Sequence, residues 1–198
     1  PLPLGTVLQS RYQVVQLLGQ GGFGRTYLAK DQGRFDEFCA VKEFLPQQGE
    51  DHFSSKSTEL FQREAAILYQ IQHPQVPQFR ATFEVDGRLF MVQDYVEGAS
   101  YRDLLNQRRS QNVTFSEAEV RQFLQQMLPV LAHIHAKGII HRDISPDNIL
   151  LRNRDRLPVL IDFGVVKEVV TRVQMAGTTH SATGNTHRVR ICGERSQS

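Results

Sequence analysis

Three polar residues in the second half of the chain have the types and the spacing to hold a metal ion and a hydroxyl group. Asp143 and Asn148 lie five positions apart in a polar loop, and Asp162 follows the short apolar segment 159–161. A carboxylate and a carboxamide at that spacing could hold a hydroxyl and a metal at the same time. The second carboxylate could hold the same metal against phosphate oxygens. We therefore expect the rest of the fold to bring these loops together.

A glycine-rich segment upstream could approach the same phosphates. It runs from Gly19 to Gly24 between two predicted strands, 12–18 and 25–29. Glycines let backbone N–H groups come close to anionic oxygens, because no Cβ stands in the way. The dinucleotide-binding version of such a segment needs a helix after the glycines, whereas a strand follows here. Taken alone, the glycine spacing is weak evidence for phosphate binding.

A lysine and a glutamate occupy positions that should be apolar. Period-2 alternation along the predicted strand 38–44 puts Lys42 on an otherwise apolar face. It could snorkel outward from an edge strand, or it could be held for phosphates. Helical periodicity over 57–71 places Glu64 on the apolar stripe of that helix. An unpaired buried charge is costly, so we predict that Lys42 and Glu64 form an ion pair.

In the chain's order, these pieces resemble the motifs of the protein kinase family. Residues 141–148 read His-Arg-Asp-x-x-x-x-Asn, residues 162–164 read Asp-Phe-Gly, and Ala-Val-Lys ends at Lys42. The resemblance covers roughly 11–183 and implies an α+β, protein-kinase-like two-lobed fold. It implies an N-lobe over 11–96, with a five-stranded antiparallel sheet plus helix C. A partial helical C-lobe would follow over 97–183, and 184–198 would form a disordered tail.

The resemblance also implies a role for each site residue. Asp143 would accept the proton of the substrate hydroxyl, and Lys42, held by Glu64, would grip the α and β phosphates of ATP. Asn148 and Asp162 would hold Mg²⁺. Backbone groups of Asp94 and Val96 would meet the adenine edge. The full predicted set around ATP is Leu18, Gly19, Gly21, Gly22, Phe23, Gly24, Thr26, Ala40, Lys42, Gln93, Asp94 and Val96.

The implied function is that of a serine/threonine protein kinase in signal transduction, a transferase that passes the γ-phosphate of ATP to a hydroxyl of a protein substrate. The serine/threonine pattern usually has lysine two residues after the catalytic aspartate, where this chain has Ser145. Ser145 therefore leaves the acceptor class open. The alternative function is that of a catalytically impaired, truncated kinase that acts as a nucleotide-binding or docking module. A small-molecule phosphotransferase on the same fold is disfavoured by the complete glycine loop and the His-Arg-Asp context.

Motif resemblance ends abruptly near Thr183. No Ala-Pro-Glu follows the Asp-Phe-Gly segment, and 187–195 has no periodic apolar face. We therefore expect a kinase sequence that is truncated in its activation segment, and a frame-shift near Thr183 is the hypothesis for its origin. Loss of the helices that complete the C-lobe would expose the apolar stripe predicted at 120–135 and lower both stability and activity.

Composition adds only broad limits. The chain has 198 residues and a formal net charge of +2, so no strong signal for nucleic acid appears. Its two cysteines, Cys39 and Cys192, cannot build a disulfide framework or a four-ligand zinc site. No segment approaches the ~20 apolar residues needed to cross a bilayer. A cytoplasmic protein without a membrane segment is the expectation.

Overall fold

The computed structural model describes residues 1–21, 24–44, 55–141 and 143–162. Within the first helix, the side chains at positions 55–57, 60, 63, 64 and 67 are not described. The predicted activation segment after Asp162 and the predicted tail 184–198 lie outside the described residues, as does the proposed break near Thr183.

A six-stranded antiparallel sheet forms the first half of the molecule. Its strand order is β1-β2-β3-β4-β6-β5, so sequence neighbours pair except where β6 inserts beside β4. The five predicted strands are all present, and a sixth strand of two residues is added at one edge. The strands are β1 (Val7–Leu8), β2 (Tyr12–Gly21), β3 (Gly24–Asp31), β4 (Glu37–Phe44), β5 (Phe79–Val85) and β6 (Arg88–Asp94).

Both faces of this sheet are packed. On one face, Tyr27, Val41 and Phe90 belong to a buried cluster, against which Leu2 from the N-terminal segment also packs. On the other face, Phe44 and Met91 join the cluster that reaches the helices, whose members include Phe61, Val130 and Leu160. From Cys39 to Phe44 the central strand β4 is therefore buried on both sides, and every polar residue in that part needs a partner.

Three helices carry the rest of the core. They are α1 (Ser55–Tyr69), α2 (Tyr101–Ser110) and α3 (Glu117–Ala136). A capping box begins α3: the Ser116 side chain accepts from the Glu119 backbone N–H, and the Glu119 side chain accepts from the Ser116 backbone N–H. Gly138 follows the helix end at φ +72°, as expected for a glycine at a helix terminus. No helix among the described residues is long and apolar enough to cross a membrane.

A second, three-stranded sheet adjoins the loops that contain Asp143, Asn148 and Asp162. It consists of β7 (Gly98–Ser100), β8 (Ile149–Arg152) and β9 (Pro158–Leu160), in the order β7-β8-β9. The segment after α1 is fastened to it by hydrogen bonds from the Leu160 N–H to the Gln75 carbonyl (2.9 Å) and from Gln75 Nε2 to the Pro158 carbonyl (2.8 Å). These bonds tie the second sheet to the segment that leads from α1 into β5 of the first sheet.

Candidate active site

A cleft of about 370 Å³ lies between the two sheets. Most of the residues predicted from the sequence to surround a nucleotide or a metal line it. These are Leu18, Gly19, Thr26, Ala40, Lys42, Gln93, Asp94, Val96, Asn148 and Asp162. Two larger cavities, of about 760 and 540 Å³, contain neither Lys42 nor Asn148 nor Asp162. We therefore assign the candidate site to the smaller cleft, where the charged groups meet.

The remaining predicted residues stand in different positions. Gly21 and Gly24 form the end of the β2–β3 hairpin and do not line the cleft. Gly22 and Phe23 lie outside the described residues. Asp143 does not line the cleft itself, but it is hydrogen-bonded to Asn148, which does.

Lys42 forms an ion pair with Asp162. Its Nζ lies 2.9 Å from Oδ1 of the aspartate. The lysine side chain is 9% exposed and that of Asp162 is 50% exposed, so the ammonium reaches the cleft from a buried strand and meets a carboxylate that faces solvent. The predicted partner, Glu64, lies in α1, and its side chain is outside the described part of the chain. The Lys42–Glu64 pair therefore stays a prediction.

Asp162 has a backbone conformation that few residues other than glycine adopt. Its φ is +53°, in the left-handed region, where aspartate is tolerated better than most side chains. Local strain of this kind persists only where the surroundings hold it. Here the ion pair with Lys42 holds the side chain, and the carbonyl of Ile161 immediately before it accepts a hydrogen bond.

The side-chain amide of Asn148, a predicted metal ligand, is hydrogen-bonded to Asp143, the predicted base. Nδ2 of Asn148 donates to the Asp143 carboxylate (Oδ2, 2.7 Å) and to the Asp143 backbone carbonyl (2.8 Å). Both hydrogen bonds use the amide nitrogen, so Oδ1 is the atom with which Asn148 could ligate a metal. The 3-10 turn Pro146–Asn148, whose first residue fixes φ, returns the chain to place the amide there.

His141 joins the two acidic segments, a role that the sequence did not reveal. Its Nδ1 accepts from the Asp143 backbone N–H (3.3 Å), so the proton sits on Nε2, which donates to the Ile161 carbonyl (3.1 Å). The ring is buried, and burial lowers its pKa below the usual value. The neutral imidazole therefore connects the backbone N–H of Asp143 with the carbonyl of Ile161, the residue before Asp162.

The glycine-rich hairpin has its own steric requirement. Strand register pairs Gly21 with Gly24 at the end of the hairpin. A Cβ on Gly24 would lie 2.1 Å from the Glu43 carbonyl oxygen, whereas a Cβ on Gly19 or Gly21 would meet nothing within 4 Å. Gly24 is thus required by the close approach of β3 to β4. The sequence explained this glycine only by phosphate binding.

Two further charged residues near the site were missed. Glu43, next to Lys42, is fully buried on the opposite face of β4. Arg80 on β5 is buried as well, and its Nε donates to Oδ1 of Asp94 (2.7 Å), at the start of the segment that links the two sheets. Alternation on a strand that is buried on both faces could have indicated Glu43. The partners of Arg80 are far away in sequence and could not be predicted.

The donor set suits a magnesium ion that is shared with a phosphate. Among the described residues, no three His, Cys, Asp or Glu side chains gather into a metal site. The predicted set is instead one carboxylate, Asp162, and one amide oxygen, that of Asn148, and both line the same cleft. Mg²⁺ commonly binds through one or two such groups and completes its shell with phosphate oxygens and water.

A glycine-rich hairpin on one sheet, with a lysine and an acid paired in the cleft between two sheets, is the arrangement of a protein-kinase-like fold. The chain matches the family described as protein kinase domain over residues 12–186, and it belongs to that family. It is 45% identical over 162 residues to serine/threonine-protein kinase-like protein E of Synechocystis sp. The aligned region covers 82% of this chain and 26% of that protein.

Two other comparisons agree with this assignment. The chain is 43% identical over 182 residues to serine/threonine-protein kinase PknA of Nostoc sp., over 90% of this chain and 30% of PknA. The crystal structure of the PknI kinase domain of Mycobacterium tuberculosis superposes with a TM-score of 0.70 at 28% identity, over 83% of this chain and 64% of that chain. The superposition confirms the kinase-like fold. The chain spans less than a third of the length of the two curated relatives from Synechocystis and Nostoc.

Proposed function

We propose that the chain is the catalytic part of a serine/threonine protein kinase that transfers the γ-phosphate of ATP to a protein hydroxyl in signal transduction. The observation that carries this proposal is the convergence on one cleft of the Lys42–Asp162 ion pair and the Asp143–Asn148 hydrogen bond. Phosphoryl transfer needs positioning and neutralisation of charge more than covalent chemistry, and these groups supply both.

Each group has a separate task. Lys42 would exchange its contact with Asp162 for the α and β phosphates of ATP, with Glu64 holding its ammonium from α1. Asp143 would accept a hydrogen bond from the substrate hydroxyl and take its proton during transfer. The amide of Asn148 keeps that carboxylate oriented, because it donates to Oδ2. The backbone of Asp94 and Val96 would hold the adenine edge.

Magnesium would be held by Asp162 and by Oδ1 of Asn148. When bound, it would neutralise charge on the β and γ phosphates. Asp162 is half-exposed and lines the cleft, so its carboxylate is accessible to a metal, and the phosphates would take its place beside the buried Lys42.

Turnover with radiolabelled ATP and a basic protein acceptor tests this function. Asp143→Asn should lower the rate by about 100-fold or more, because general-base catalysis typically contributes that much. Asp86→Asn is the matched control, since Asp86 is an exposed turn residue that does not line the cleft, and its rate should stay that of the unmodified chain. An Asp143→Asn protein as active as the control would overturn the assignment of the base.

A nucleotide-binding or docking module without turnover is the second candidate, and Ser145 favours it. Ser145 lies where the serine/threonine pattern usually has a lysine aimed at the γ-phosphate, and a hydroxyl cannot replace that charge. Fluorescent ATP that binds with magnesium, together with no transfer to any protein acceptor, would identify this case. Ser145→Lys should then raise transfer if the missing ammonium is the reason.

The proposal includes a domain division and a location. We assign 11–96 to the N-lobe and 97–183 to the part of the C-lobe that is present, and we infer a cytoplasmic location with a protein substrate and no nucleic-acid partner. The unbridged, buried thiol of Cys39 fits a reducing compartment. Proteolysis of the free and nucleotide-bound chain would test the division, because a boundary near 96–97 should become less accessible when ATP spans both lobes.

A further inference from the structure

A polar chain of three residues runs across the sheet behind the glycine-rich hairpin. Nε of Arg25 on β3 donates to Oε1 of Gln20 on β2 (3.4 Å). Nη1 of the same arginine donates to Oε2 of Glu43 on β4 (3.3 Å). The guanidinium thus spans from the buried carboxylate of the central strand to a side chain in the arm of the hairpin.

The Glu43 carboxylate is a fixed anchor for this chain. It is fully buried, and it also accepts hydrogen bonds from Tyr27 Oη (2.7 Å) and from Nη1 of Arg88 (2.8 Å). Tyr27 is itself held, because its Oη accepts from the Leu2 backbone N–H (3.0 Å). Burial alone would raise the pKa of Glu43, but the bonds from Tyr27, Arg25 and Arg88 outweigh it and lower the pKa, so the carboxylate stays charged.

Each residue of this network is a sequence neighbour of a residue that lines the cleft or belongs to the glycine-rich hairpin. Glu43 follows Lys42, and its carbonyl oxygen is the atom against which Gly24 packs. Gln20 lies between the two glycines of β2, and Arg25 precedes Thr26, which lines the cleft. Successive strand residues face opposite sides of a sheet, so Gln20, Arg25 and Glu43 act on the hairpin from the side away from the ligand.

We propose that Glu43 is a positioning residue that, through Arg25 and Gln20, holds the glycine-rich hairpin over the nucleotide cleft. The inference rests on the proposed function, since the ligand beneath the hairpin is taken to be ATP. A hairpin that is fixed before the ligand arrives loses less conformational freedom on binding, so the network should strengthen nucleotide affinity.

Two arginines on the same carboxylate supply a matched comparison. Arg25 and Arg88 each donate through Nη1 to Glu43, and both are partly buried, with side chains 19% and 31% exposed. Only Arg25 reaches the hairpin. If Glu43 served stability alone, Arg25→Gln and Arg88→Gln would have the same kind of effect. If it positions the hairpin, only Arg25→Gln should weaken nucleotide binding.

The experiment measures KM for ATP, kcat and the thermal midpoint of these variants. Arg25→Gln should raise KM about fivefold, the effect of losing one charge-assisted hydrogen bond, with kcat changed less than about twofold. Arg88→Gln should lower the thermal midpoint about as much as Arg25→Gln does, but it should leave KM for ATP unchanged. Arg25→Lys restores the charge but not a planar donor that spans two acceptors, so its KM should stay raised. Equal KM values for Arg25→Gln and Arg88→Gln would overturn the proposal.

Hydrogen exchange without nucleotide separates this inference from the proposed function. Backbone amides of 19–21 and 24–26 should exchange about fivefold faster in Arg25→Gln than in Arg88→Gln, because the hairpin loses its side-chain anchor. A chain that binds no ATP would refute the proposed function while this measurement still reports on the hairpin. Identical exchange in the two variants would refute the positioning role, whatever the nucleotide data show.

Discussion

Replacing Arg80 with methionine should destabilise the six-stranded sheet, because its acidic partners lie on three other strands of that sheet. The side chain of Arg80 is 5% exposed and faces three acids. Its Nε lies 2.7 Å from Asp94, its Nη2 lies 2.9 Å from Glu37, and its Nη1 lies 3.6 Å from Asp31. Methionine fills a similar volume without charge, so Arg80→Met removes these contacts and leaves most of the packing of the aliphatic stem.

The size of the effect depends on the hydrogen bonds and the hydration that each acid has after the substitution. Asp31 is buried, but it retains two hydrogen bonds from Arg11 (2.6 and 3.0 Å) and one from the Gly33 N–H (3.1 Å). It should therefore lose little. Asp94 and Glu37 are about half-exposed, and water can replace the arginine at each for about 1 kcal/mol. The free energy of unfolding should fall by about 2 kcal/mol, well below the roughly 3–5 kcal/mol of an orphaned buried charge.

Thermal and urea unfolding measure this loss. For a chain of this size, about 2 kcal/mol should lower the midpoint temperature by about 4–8 °C. Arg34→Met is the matched control, because Arg34 pairs with the same Glu37 (3.2 Å) from an exposed position. It should change the unfolding free energy by less than about 0.5 kcal/mol.

The reasoning fails at either extreme. An Arg80→Met protein that melts within about 1 °C of the unmodified chain would mean that the buried cluster adds nothing. A loss near 5 kcal/mol would mean that Asp31 depends on Arg80 and not on Arg11. A double-mutant cycle with Asp94→Asn should give a coupling of about 1 kcal/mol if the 2.7 Å contact accounts for half of the effect.

Three further predictions follow from other sites. Gly24→Ala should cost about 2 kcal/mol in unfolding free energy and weaken ATP binding, because its Cβ would strike the Glu43 carbonyl; unaltered urea unfolding would contradict this. Stability should fall between pH 7 and pH 5.5, since His141 has a pKa below its unfolded value and the unfolded chain binds the proton more readily; urea midpoints that do not fall with pH, or that fall as far in His141→Asn, would be inconsistent with this. In a Cys192→Ser chain, Cys39 should resist iodoacetamide at pH 8 until the protein unfolds, because burial raises its pKa to about 11; rapid labelling of folded protein would be the opposing result.

The sequence predicted the elements of the fold because their signals are local. Alternation on strands, the Ser116–Glu119 box and the glycine after α3 depend on neighbours within a few residues, and the structure has each of them. The strand ends moved by one to three residues; β2, for instance, extends to Gly21 and not to residue 18. Strand β1 was missed, since two residues are too few to show a period.

The candidate site was predicted through motif order and not through contacts. That order placed Lys42 and Asp162 in one cleft, but it did not predict their direct pairing at 2.9 Å. The roles of Arg80 and of His141 depend on partners brought close only by the sheet order and the second sheet. Such long-range pairings leave no periodic trace along one chain, so they become visible only in three dimensions.

Because both faces of β4 are packed, the register of the strand determines which charge lies on each face. Lys42 and Glu43 are consecutive, and each is enclosed by its own side of the sheet. A slip of one residue would exchange them, because successive side chains point in opposite directions. The cleft would then present an anion to the triphosphate, and the pocket of guanidinium groups behind would receive an ammonium. The number of residues between the β3–β4 turn and position 42 therefore determines the charge of the site, and a single deletion within 37–39 would reverse it without altering the Ala-Val-Lys motif.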